Sequence, residues 1–367
     1  MATETESSYQ LLCIGNPLLD MQTSNGILLE KYNLKANDAI LASPEHMSIY
    51  EDIANAPDLK FVAGGAAQNA ARGAAYILPP KSVVYVGCVG DDDLADKLRE
   101  ANAREGVESA YLVKQGEQTG ACGVVITGHH RYENLQARLY QKEGQLFDRS
   151  LVTTLRAAEM FDKSHLSSPE VSAYIKGAKY FYIGGFFLTH GVESALELSK
   201  TASGDSKVVA INLSAPFIPQ FFKVQLETIL PYADFVIGNE SEAESWGSAA
   251  GLSDPKDHVA VARAIALLPK SNPARPRVVV ITRGADSTVV VSSARPEEPQ
   301  LHAIQKLAED EIVDTNGAGD AFAGGFMGGL VLGKSVDEAV EIGHKMGAMN
   351  LRQVGPQYTW PKVQIVT

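Results

Sequence analysis

The chain has 367 residues, of which 45% are hydrophobic, enough for a sizeable core in one large domain or two. Its 44 acidic and 32 basic side chains give a net charge of −12, which argues against general binding of nucleic acid or anionic membranes over the whole surface. The 3 cysteines form no Cys-x-x-Cys pair, so the sequence predicts neither a zinc site nor a disulfide framework and favours a reducing compartment.

The N-terminal segment is polar and acidic. No stretch of the chain approaches the roughly 20 apolar residues that span a membrane. We therefore expect a soluble protein of the cytoplasm, with the nucleus as a second compartment.

Residues 11–15 form a continuous apolar run that ends in a glycine, which predicts a strand buried on both faces, as in a parallel sheet. The segment Asn-Pro-Leu-Leu-Asp follows, at the end of the strand where open α/β sheets place their ligands. Asn16 and Asp20 offer the acceptors needed to hold a vicinal diol. A simple Asn-Pro turn is the alternative interpretation.

Residues 22–63 mix short apolar stretches with turns, which predicts part of a small lid sheet and a helix near residues 44–56. Two glycines, Gly64 and Gly65, then open a helix of small residues that carries Asn69. Taken by itself, Asn69 is readily interpreted as a polar residue on an exposed helix face.

Residues 83–90 predict another buried strand, followed by three consecutive aspartates, residues 91–93, and an amphipathic helix near residues 94–105. Three acids in a row could bind a metal. Acids at a helix start usually serve its positively polarised N-terminus, however, and we prefer that interpretation. Residues 118–127 predict a strand that returns to the lid.

Strands are also predicted over residues 179–185, 208–213 and 234–238. Phe186, which follows the first of them, could stack on a purine or belong to the ordinary core. Asn239 and Glu242 follow the third. Without other motifs, their simplest interpretation is a helix start with acids in its first turn.

The last major strand begins at residue 277 and runs into a glycine turn that contains Thr282, Arg283 and Gly284. These three residues are plausible contacts for a nucleotide phosphate, although Arg283 can equally be a solvated surface charge. A hairpin partner is predicted over residues 287–293. The helix predicted over residues 336–351 carries His344, which taken alone is a helix-surface histidine.

The stretch from residue 312 to 331 is the most informative in the chain. Its residues 316–319, Asn-Gly-Ala-Gly, lack bulky side chains, so backbone N–H groups there can approach a ligand closely. From Asp320 on, apolar residues recur at helical spacing, so the turn should open a helix whose positive N-terminal end favours an anion. One interpretation is a phosphate cradle beside Asp320; the other is an N-cap with glycines for close helix packing.

Residues 314–326, Asp-Thr-Asn-Gly-Ala-Gly-Asp-Ala-Phe-Ala-Gly-Gly-Phe, resemble the C-terminal signature of the ribokinase-like (carbohydrate and nucleoside) kinase family. Within that family the likeness is greatest to members that phosphorylate adenosine, and it spans about residues 10–360. It is carried by Gly-Asn-Pro-Leu-Leu-Asp, Gly-Gly-Phe-Phe-Leu-Thr, Asn-Leu-Ser-Ala-Pro-Phe-Ile and Gly-Asn-Glu-Ser-Glu-Ala.

The repeated order of strand and helix predicts an α/β fold. Together with the resemblance, it leads us to expect the three-layer α/β/α ribokinase-like fold, with a mainly parallel central sheet and a small lid. The large nucleotide-binding domain would comprise residues 1–19, 64–117 and 166–367. The lid would comprise residues 20–63 and 118–165.

The resemblance implies that Asp320 accepts the proton of the hydroxyl that is phosphorylated. The N–H groups of Gly317, Ala318 and Gly319, together with Arg149, would hold the developing negative charge. A carboxylate near its reference pKa of about 3.9 is a weak base, so positioning and charge stabilisation should supply most of the acceleration.

The remaining implied roles concern binding. The nucleoside would contact Asn16, Asp20, Leu41, Gly64, Gly65, Asn69, Cys122, Leu151, Phe186, Phe217 and Asn316. ATP would contact Asn239, Thr282, Arg283, Gly284, Ala318 and His344. Mg²⁺ would be organised through water by Asn239 and Glu242, since oxygen ligands suit this ion and it commonly keeps several waters.

Residues 131–148 look like an insertion within the lid. The family pattern Arg-Ser-Leu is expected after residue 130, but it occurs only at residues 149–151, so Arg149 is the candidate for the phosphate-binding arginine. The segment is either a tolerated surface loop, since long loops cost little extra closure entropy, or an intron wrongly included in the coding sequence. We favour the intron, which sequencing of the transcript would test.

The implied reaction is transfer of the γ-phosphoryl group of ATP to the 5′-hydroxyl of adenosine, giving AMP and ADP, an activity of purine salvage. The expected partners are adenosine and ATP, with no nucleic acid and no membrane, and the expected state is a monomer. Two alternatives stay open. One is a ribokinase- or fructokinase-type sugar kinase of the same family, and the other is a catalytically impaired nucleoside-binding protein.

Overall fold

A computed structural model of the chain describes residues 9–35, 39–127 and 148–366, with the backbone alone at positions 39, 148 and 149. Its strands are β1 (Leu11–Ile14), β2 (Leu18–Thr23), β3 (Ala39–Leu41), β4 (Lys60–Gly64), β5 (Val83–Gly90), β6 (Val107–Lys114), β7 (Ala121–Thr127), β8 (Asp148–Thr154), β9 (Tyr180–Gly184), β10 (Val208–Asn212), β11 (Phe235–Asn239), β12 (Val278–Arg283), β13 (Asp286–Ser292) and β14 (Arg295–His302).

The helices alternate with these strands over most of the chain. They are α1 (Ile27–Lys31), α2 (Ile49–Ala54), α3 (Ala66–Ile77), α4 (Asp93–Glu105), α5 (Pro169–Gly177), α6 (Val192–Gly204), α7 (Phe217–Phe221), α8 (Lys223–Ile229), α9 (Glu240–Ala249), α10 (His258–Ala266), α11 (Ala318–Val331) and α12 (Val336–Leu351). No helix among the described residues is both long enough and apolar enough to cross a bilayer.

The larger sheet has nine strands in the order β14-β13-β12-β11-β10-β9-β1-β5-β6. Strands from β12 to β6 in this order pair in parallel, and β13 and β14 extend the sheet by antiparallel pairing. Because the parallel strands all point the same way, the residues that follow β1, β9, β10 and β11 meet at one edge of the sheet, where ligands bind in open α/β folds.

The two faces of the larger sheet are both covered, as the first apolar run predicted. Leu12 and Ile14 of β1 pack into the layer that includes α5, α6 and α10. Leu11 and Cys13 pack on the opposite side, in the layer that includes α3, α4 and α11. Helices therefore cover both sides of a mainly parallel sheet, and the predicted three-layer α/β/α architecture is confirmed.

The smaller sheet has five strands in the order β3-β8-β7-β2-β4. Met21 of β2 and Val152 of β8 pack with residues of α1 and α2 on its outer face. Asp20 and Cys122 alternate with those residues, so they lie on the inner face, which is turned towards the larger sheet. The sheet therefore covers the edge at which the parallel strands end.

The predicted division into a large domain and a lid stays a prediction. The smaller sheet draws its strands from residues 18–64 and 121–154. Ala157 and Phe161, which the sequence assigned to the lid, pack in a layer of the larger sheet. The aspartate triplet begins a helix, as we preferred, because the Asp92 side chain accepts a hydrogen bond from the Ala95 N–H and caps α4.

Candidate active site

A cavity of about 600 Å³ lies between the inner face of the smaller sheet and the ends of the parallel strands of the larger one. Many of the predicted site residues line it. They are Asn16, Asp20, Leu41, Gly65, Asn69, Cys122, Leu151, Phe186, Phe217, Asn239, Glu242, Thr282, Asn316, Gly317, Gly319 and Asp320. The tertiary structure therefore gathers residues from widely separated segments of the chain around a single space.

The loop before α11 is shaped by its own residues. Gly317 caps the helix at a φ of 82°, and a Cβ there would lie 2.7 Å from Cβ of Pro356. A Cβ on Gly319 would meet no atom within 4 Å, so the start of the helix is open on that side. An accessible helix start with this polarity favours an anion such as phosphate.

Asp314 fastens this loop to the C-terminal segment. One of its carboxylate oxygens accepts from the Asn316 N–H at 3.0 Å, and the other accepts from the Gly355 N–H at 2.6 Å. Asp314 is almost fully buried, so these charge-assisted bonds hold the loop firmly. The backbone of the loop is consequently in place before any ligand arrives.

Asp320 lies in the first turn of α11, half-buried on the cavity wall. Burial raises its pKa to about 7, and the opposing effects of the Asn69 hydrogen bond and the Arg72 charge only partly offset that rise. The sequence had led us to expect a value near 3.9, which holds for a carboxylate surrounded by water. A carboxylate with a pKa near neutrality is a stronger base than the sequence suggested.

Asn69 is not on an exposed helix face, because only 5% of the residue is accessible. Its Nδ2 donates to Oδ2 of Asp320 at 3.0 Å. Its Oδ1 accepts from Nη1 of Arg72 at 3.1 Å. The amide thus joins α3 to the carboxylate of α11.

Asn16 and Asp20 reach the cavity from either side of a short bend between β1 and β2. Nδ2 of Asn16 donates to the carbonyl oxygen of Phe186 at 3.4 Å, and its buried Oδ1 has no hydrogen-bond partner among the described residues. An acceptor of this kind on a cavity wall is suited to a ligand hydroxyl or amine. The simple-turn interpretation alone does not account for it.

The two glycines before α3 allow their neighbours to come close. A Cβ on Gly64 would lie 2.3 Å from Oδ1 of Asp20, and one on Gly65 would lie 2.2 Å from the carbonyl oxygen of Asn16. Gly65 also has a φ of 88°, which favours glycine. Gly64 does not itself line the cavity, but its lack of a side chain leaves room for the carboxylate of Asp20.

The remaining wall near Asn16 is largely apolar. The rings of Phe186 and Phe217 lie with their centroids 5.8 Å apart at an angle of 45°. Leu41 is 61% exposed at the mouth, and Leu151 lies nearby in the same lining. Cys122 is buried, and its Sγ accepts from Oγ1 of Thr153 at 3.3 Å. This wall is suited to a flat, weakly polar group such as a nucleobase.

Asn239 and Glu242 form a reciprocal cap at the start of α9. Oδ1 of Asn239 accepts from the Glu242 N–H at 2.9 Å, and Oε2 of Glu242 accepts from the Asn239 N–H at 3.0 Å. The simple helix-start interpretation is therefore realised in the geometry. Burial raises the pKa of Glu242 to about 7. The additional role in organising Mg²⁺ stays a prediction, and no cluster of three or more His, Cys, Asp or Glu able to hold a metal occurs within the described ranges.

The predicted ATP contacts are less closely gathered. Thr282 lines the cavity at the end of β12, whereas Arg283 and Gly284 lie beyond the lining, where Nε of Arg283 donates to the carbonyl oxygen of Ser287 at 2.6 Å. Arg283 is therefore engaged in the β12–β13 turn. The backbone of Ala318 is at the first position of α11, next to the lining residues Gly317 and Gly319.

His344 is half-buried in α12 and is not a surface histidine. Its Nε2 lies 2.8 Å from Oγ1 of Thr288, and its ring packs 5.5 Å from that of Phe322. Burial lowers the pKa of His344 to about 4, so the ring is neutral at pH 7. A neutral ring beside α11 is compatible with the predicted contact to an adenine.

Arg149 lies in β8, where its backbone is paired with that of Ile126. Its side chain lies outside the described part of the chain, as do residues 131–147 of the apparent insertion. The predicted roles of both stay predictions.

Some lining residues were not assigned a role from the sequence. Asn212 ends β10 and Ser214 follows it, and Oγ of Ser214 accepts from the Gly185 N–H at 2.8 Å. The rule that ligands bind beyond the ends of parallel strands could have indicated them. Arg72 was also missed, because one arginine among the small residues of α3 gives no signal of the buried partner it meets.

The fold and the cavity are consistent with a kinase, and a comparison with family models identifies its family. The model of the pfkB family of carbohydrate kinases matches residues 27–363, and the chain belongs to that family. The predicted membership of the ribokinase-like kinases is thereby confirmed.

Individual relatives point to one branch of the family. The chain is 57% identical over 361 residues to the adenosine kinase of Schizophyllum commune, covering 98% of this chain and 100% of that protein. It is 36% identical to the adenosine kinase of Anopheles gambiae in a crystal structure with P1,P4-di(adenosine-5) tetraphosphate, with a TM-score of 0.84 and coverage of 94% and 96%. It is 30% identical to the adenosine kinase of Schistosoma mansoni in complex with adenosine and AMP, with a TM-score of 0.83 and coverage of 96% and 98%.

Proposed function

We propose that this chain catalyses the reaction of an adenosine kinase, in which the γ-phosphoryl group of ATP is transferred to the 5′-hydroxyl of adenosine to give AMP and ADP. The observation that carries the proposal is the placement of Asp320. It lies beside an open helix start in a cavity that is also lined by Asn16, Asp20 and two phenylalanine rings. The adenosine kinases that share the sequence along nearly its whole length support this assignment.

In the proposed complex, adenosine lies in the cavity between the two sheets. Its base lies against Phe186, and its ribose hydroxyls meet Asn16 and Asp20. The 5′-hydroxyl then points towards Asp320 and the start of α11. This orientation follows from the chemistry of the wall, since apolar rings favour the base and buried acceptors favour the hydroxyl groups.

The reaction joins the 5′-oxygen to the γ-phosphorus while the bond between that phosphorus and the β–γ bridging oxygen breaks. Asp320 accepts the proton of the 5′-hydroxyl, and ADP leaves with the electron pair of the broken bond. Backbone N–H groups of Gly317, Ala318 and Gly319 stabilise the negative charge on the transferring group. The raised pKa of Asp320 brings its basicity nearer to the working range of the enzyme.

The oxygen atoms of Asn239 and Glu242 fit a mainly hydrated Mg²⁺ better than a fully protein-bound one, because both side chains already serve the cap of α9. When bound near the triphosphate, this ion would neutralise part of its charge. We further propose a monomeric enzyme of the cytoplasm and the nucleus that uses no nucleic acid or membrane partner.

A direct assay tests the function. Purified protein is supplied with ATP, Mg²⁺ and either adenosine, ribose or fructose, and the products are separated by chromatography. We expect AMP and ADP from adenosine, with a kcat/KM at least about 100-fold above that for either sugar, since buried groups selected for one substrate are left unpaired by another. Preferential formation of a sugar phosphate would instead identify a sugar kinase.

Tight adenosine binding without AMP formation would identify a nucleoside-binding protein. A variant that lacks residues 131–148 is assayed beside the full chain. Turnover gained only by the shortened protein would attribute the lack of activity to that segment.

A further inference from the structure

Arg72 is a buried cation whose side chain donates five hydrogen bonds to four residues. The residue is 1% exposed, and its partner Glu105 at the end of α4 is 5% exposed. Nε and Nη2 of Arg72 donate to the two carboxylate oxygens of Glu105 at 2.7 and 3.0 Å. This fork-like pairing fixes the plane of the guanidinium group.

The remaining donors of that plane are directed at one residue of the same helix and at two other segments. Nη1 donates to the carbonyl oxygen of Ala63 at 2.7 Å and to Oδ1 of Asn69 at 3.1 Å. Nη2 also donates to the carbonyl oxygen of Pro356 at 3.1 Å. Arg72 therefore links the end of strand β4, a residue of its own helix α3 and the C-terminal segment.

The contact with Asn69 has a chemical consequence. A guanidinium group has only donors, so the atom of Asn69 that faces it must be the oxygen, and the amide nitrogen must point the other way. That nitrogen meets Oδ2 of Asp320 at 3.0 Å. With the amide turned by 180°, two acceptors would face each other and Asp320 would lose its donor.

We propose that Arg72, held by Glu105, is a positioning residue for phosphoryl transfer, which acts by fixing the carboxamide of Asn69 so that its nitrogen holds Asp320. The proposal rests on the proposed function, since it assigns a role in that reaction. Asn69 anchors one oxygen of the carboxylate and leaves the other directed to the substrate hydroxyl. Among the described residues, the hydrogen-bonded link from Arg72 to Asp320 runs through this amide, and the Arg72 charge also lowers the pKa of the carboxylate directly.

The test must separate positioning from simple support of the fold. Arg72→Met alone leaves Glu105 buried without its main partner, which is strongly destabilising and could prevent folding. The paired variant Arg72→Met/Glu105→Met removes both charges and keeps apolar volume, a replacement that is often tolerated. It is combined with Asn69→Ala in a double-mutant cycle in which the Arg72–Glu105 pair is treated as one site.

We expect the paired variant to lower kcat for AMP formation about 10- to 100-fold, with a smaller change in the KM for adenosine, since slight misplacement of a reacting group has effects of this size. In the Asn69→Ala background, the same paired replacement should lower kcat by less than about threefold, because the amide link is already gone and only the effect of the Arg72 charge on Asp320 remains to be lost. Equal losses in both backgrounds would overturn the proposal and leave Arg72 a structural residue.

Arg104→Met provides the matched control. Nη2 of Arg104 also donates to Glu105, at 3.1 Å, but the Arg104 side chain is 67% exposed and forms no hydrogen bond to Asn69 among the described residues. Its kcat should equal that of the wild type, and a loss matching that of the paired variant would also overturn the proposal. Wild-type AMP formation is measured in the same experiment, so that absent activity there counts against the proposed function and not against the role of Arg72.

Discussion

We name two parts of the cavity after their proposed roles: the phosphate end is the start of α11 with Asp320, and the nucleoside end comprises Asn16, Asp20, Gly65 and Phe186. The two parts are built in different ways. The phosphate end comes from one continuous stretch, residues 314–320, which is shaped by its glycines and tied to the C-terminal segment by the bond from the Gly355 N–H to Asp314. The nucleoside end takes its residues from three separate segments, which contribute Asn16 with Asp20, Gly65, and Phe186. Asp20 lies in the smaller sheet, and Gly65 directly follows one of its strands. If the proposed roles hold, the groups for phosphoryl transfer are encoded mainly within one stretch of sequence, whereas the choice of acceptor depends on how the two sheets meet.

The largest expected effect is the loss of catalysis in Asp320→Asn, which should leave the binding of adenosine almost unchanged. Asp320→Asn keeps the shape of the side chain but removes the base, so kcat should fall by about 1,000-fold or more while the dissociation constant for adenosine stays within about threefold. Steady-state kinetics and calorimetric titration with adenosine measure the two quantities. Asp310→Asn, at an exposed acid ten residues earlier, is the control that should change neither. Retained turnover would remove Asp320 from its role as base.

Three glycine-to-alanine variants compare how much stability is lost when a Cβ is added at each end of the cavity and at an exposed control site. In Gly65→Ala the new Cβ would lie 2.2 Å from a backbone oxygen, in Gly317→Ala 2.7 Å from a proline side-chain carbon, and in Gly116→Ala it would meet nothing within 4 Å. All three sites have a positive φ, which costs about 1 to 2 kcal/mol in alanine. We expect Gly65→Ala to lose the most stability to urea, about 3 kcal/mol or more, then Gly317→Ala, then Gly116→Ala.

The kinetic effects of these variants should differ by end. Gly65→Ala should raise the KM for adenosine more than that for ATP, because it displaces the backbone of Asn16. Gly317→Ala should lower kcat and raise the KM for ATP, because it distorts the helix start. Equal effects on both substrates from both variants would show that the two ends are not separable.

The smallest expected effect concerns pH. The pKa of Asp320 is raised to about 7 in the folded state, against about 3.9 when unfolded, so the folded state holds this proton more tightly. The resulting stability is fully present below pH 4 and is lost as the pH rises through 7. Asp320→Asn should therefore be more stable than the wild type at pH 8, by about 1 to 2 kcal/mol once partial exposure is allowed for, and little different near pH 4.

Urea unfolding of both proteins at pH 4 and pH 8 measures this difference. A stability difference that does not change with pH would show that Asp320 titrates as an ordinary exposed carboxylate. That result would also remove its raised basicity from the mechanism.

Much of the fold was predictable because local patterns and tertiary demands agree. The apolar run that became β1 is buried on both faces, and the helical spacing over residues 336–351 became α12 with the same limits. The glycine turn that opens α11 was predictable for the same reason, since glycine permits a positive φ and a close approach of the backbone, and its role as a phosphate cradle stays a prediction. The surroundings of Asn69 and His344 were not predictable. The hydrogen-bond partner of Asn69 is more than 200 positions away in the sequence and that of His344 about 50 positions away, so neither partner produces a pattern in the neighbouring sequence.

The sequence by itself determined the alternation of strands and helices, the turn that opens α11 and the carboxylate at its start, all of which depend on neighbouring residues. Only the tertiary structure decided the raised pKa of Asp320, the orientation of the Asn69 amide and the link from Arg72 and Glu105. The physical reason is that desolvation and hydrogen-bond direction depend on what distant segments bring to a point. A pattern of residue types specifies which groups are available, and packing specifies the environment in which they react.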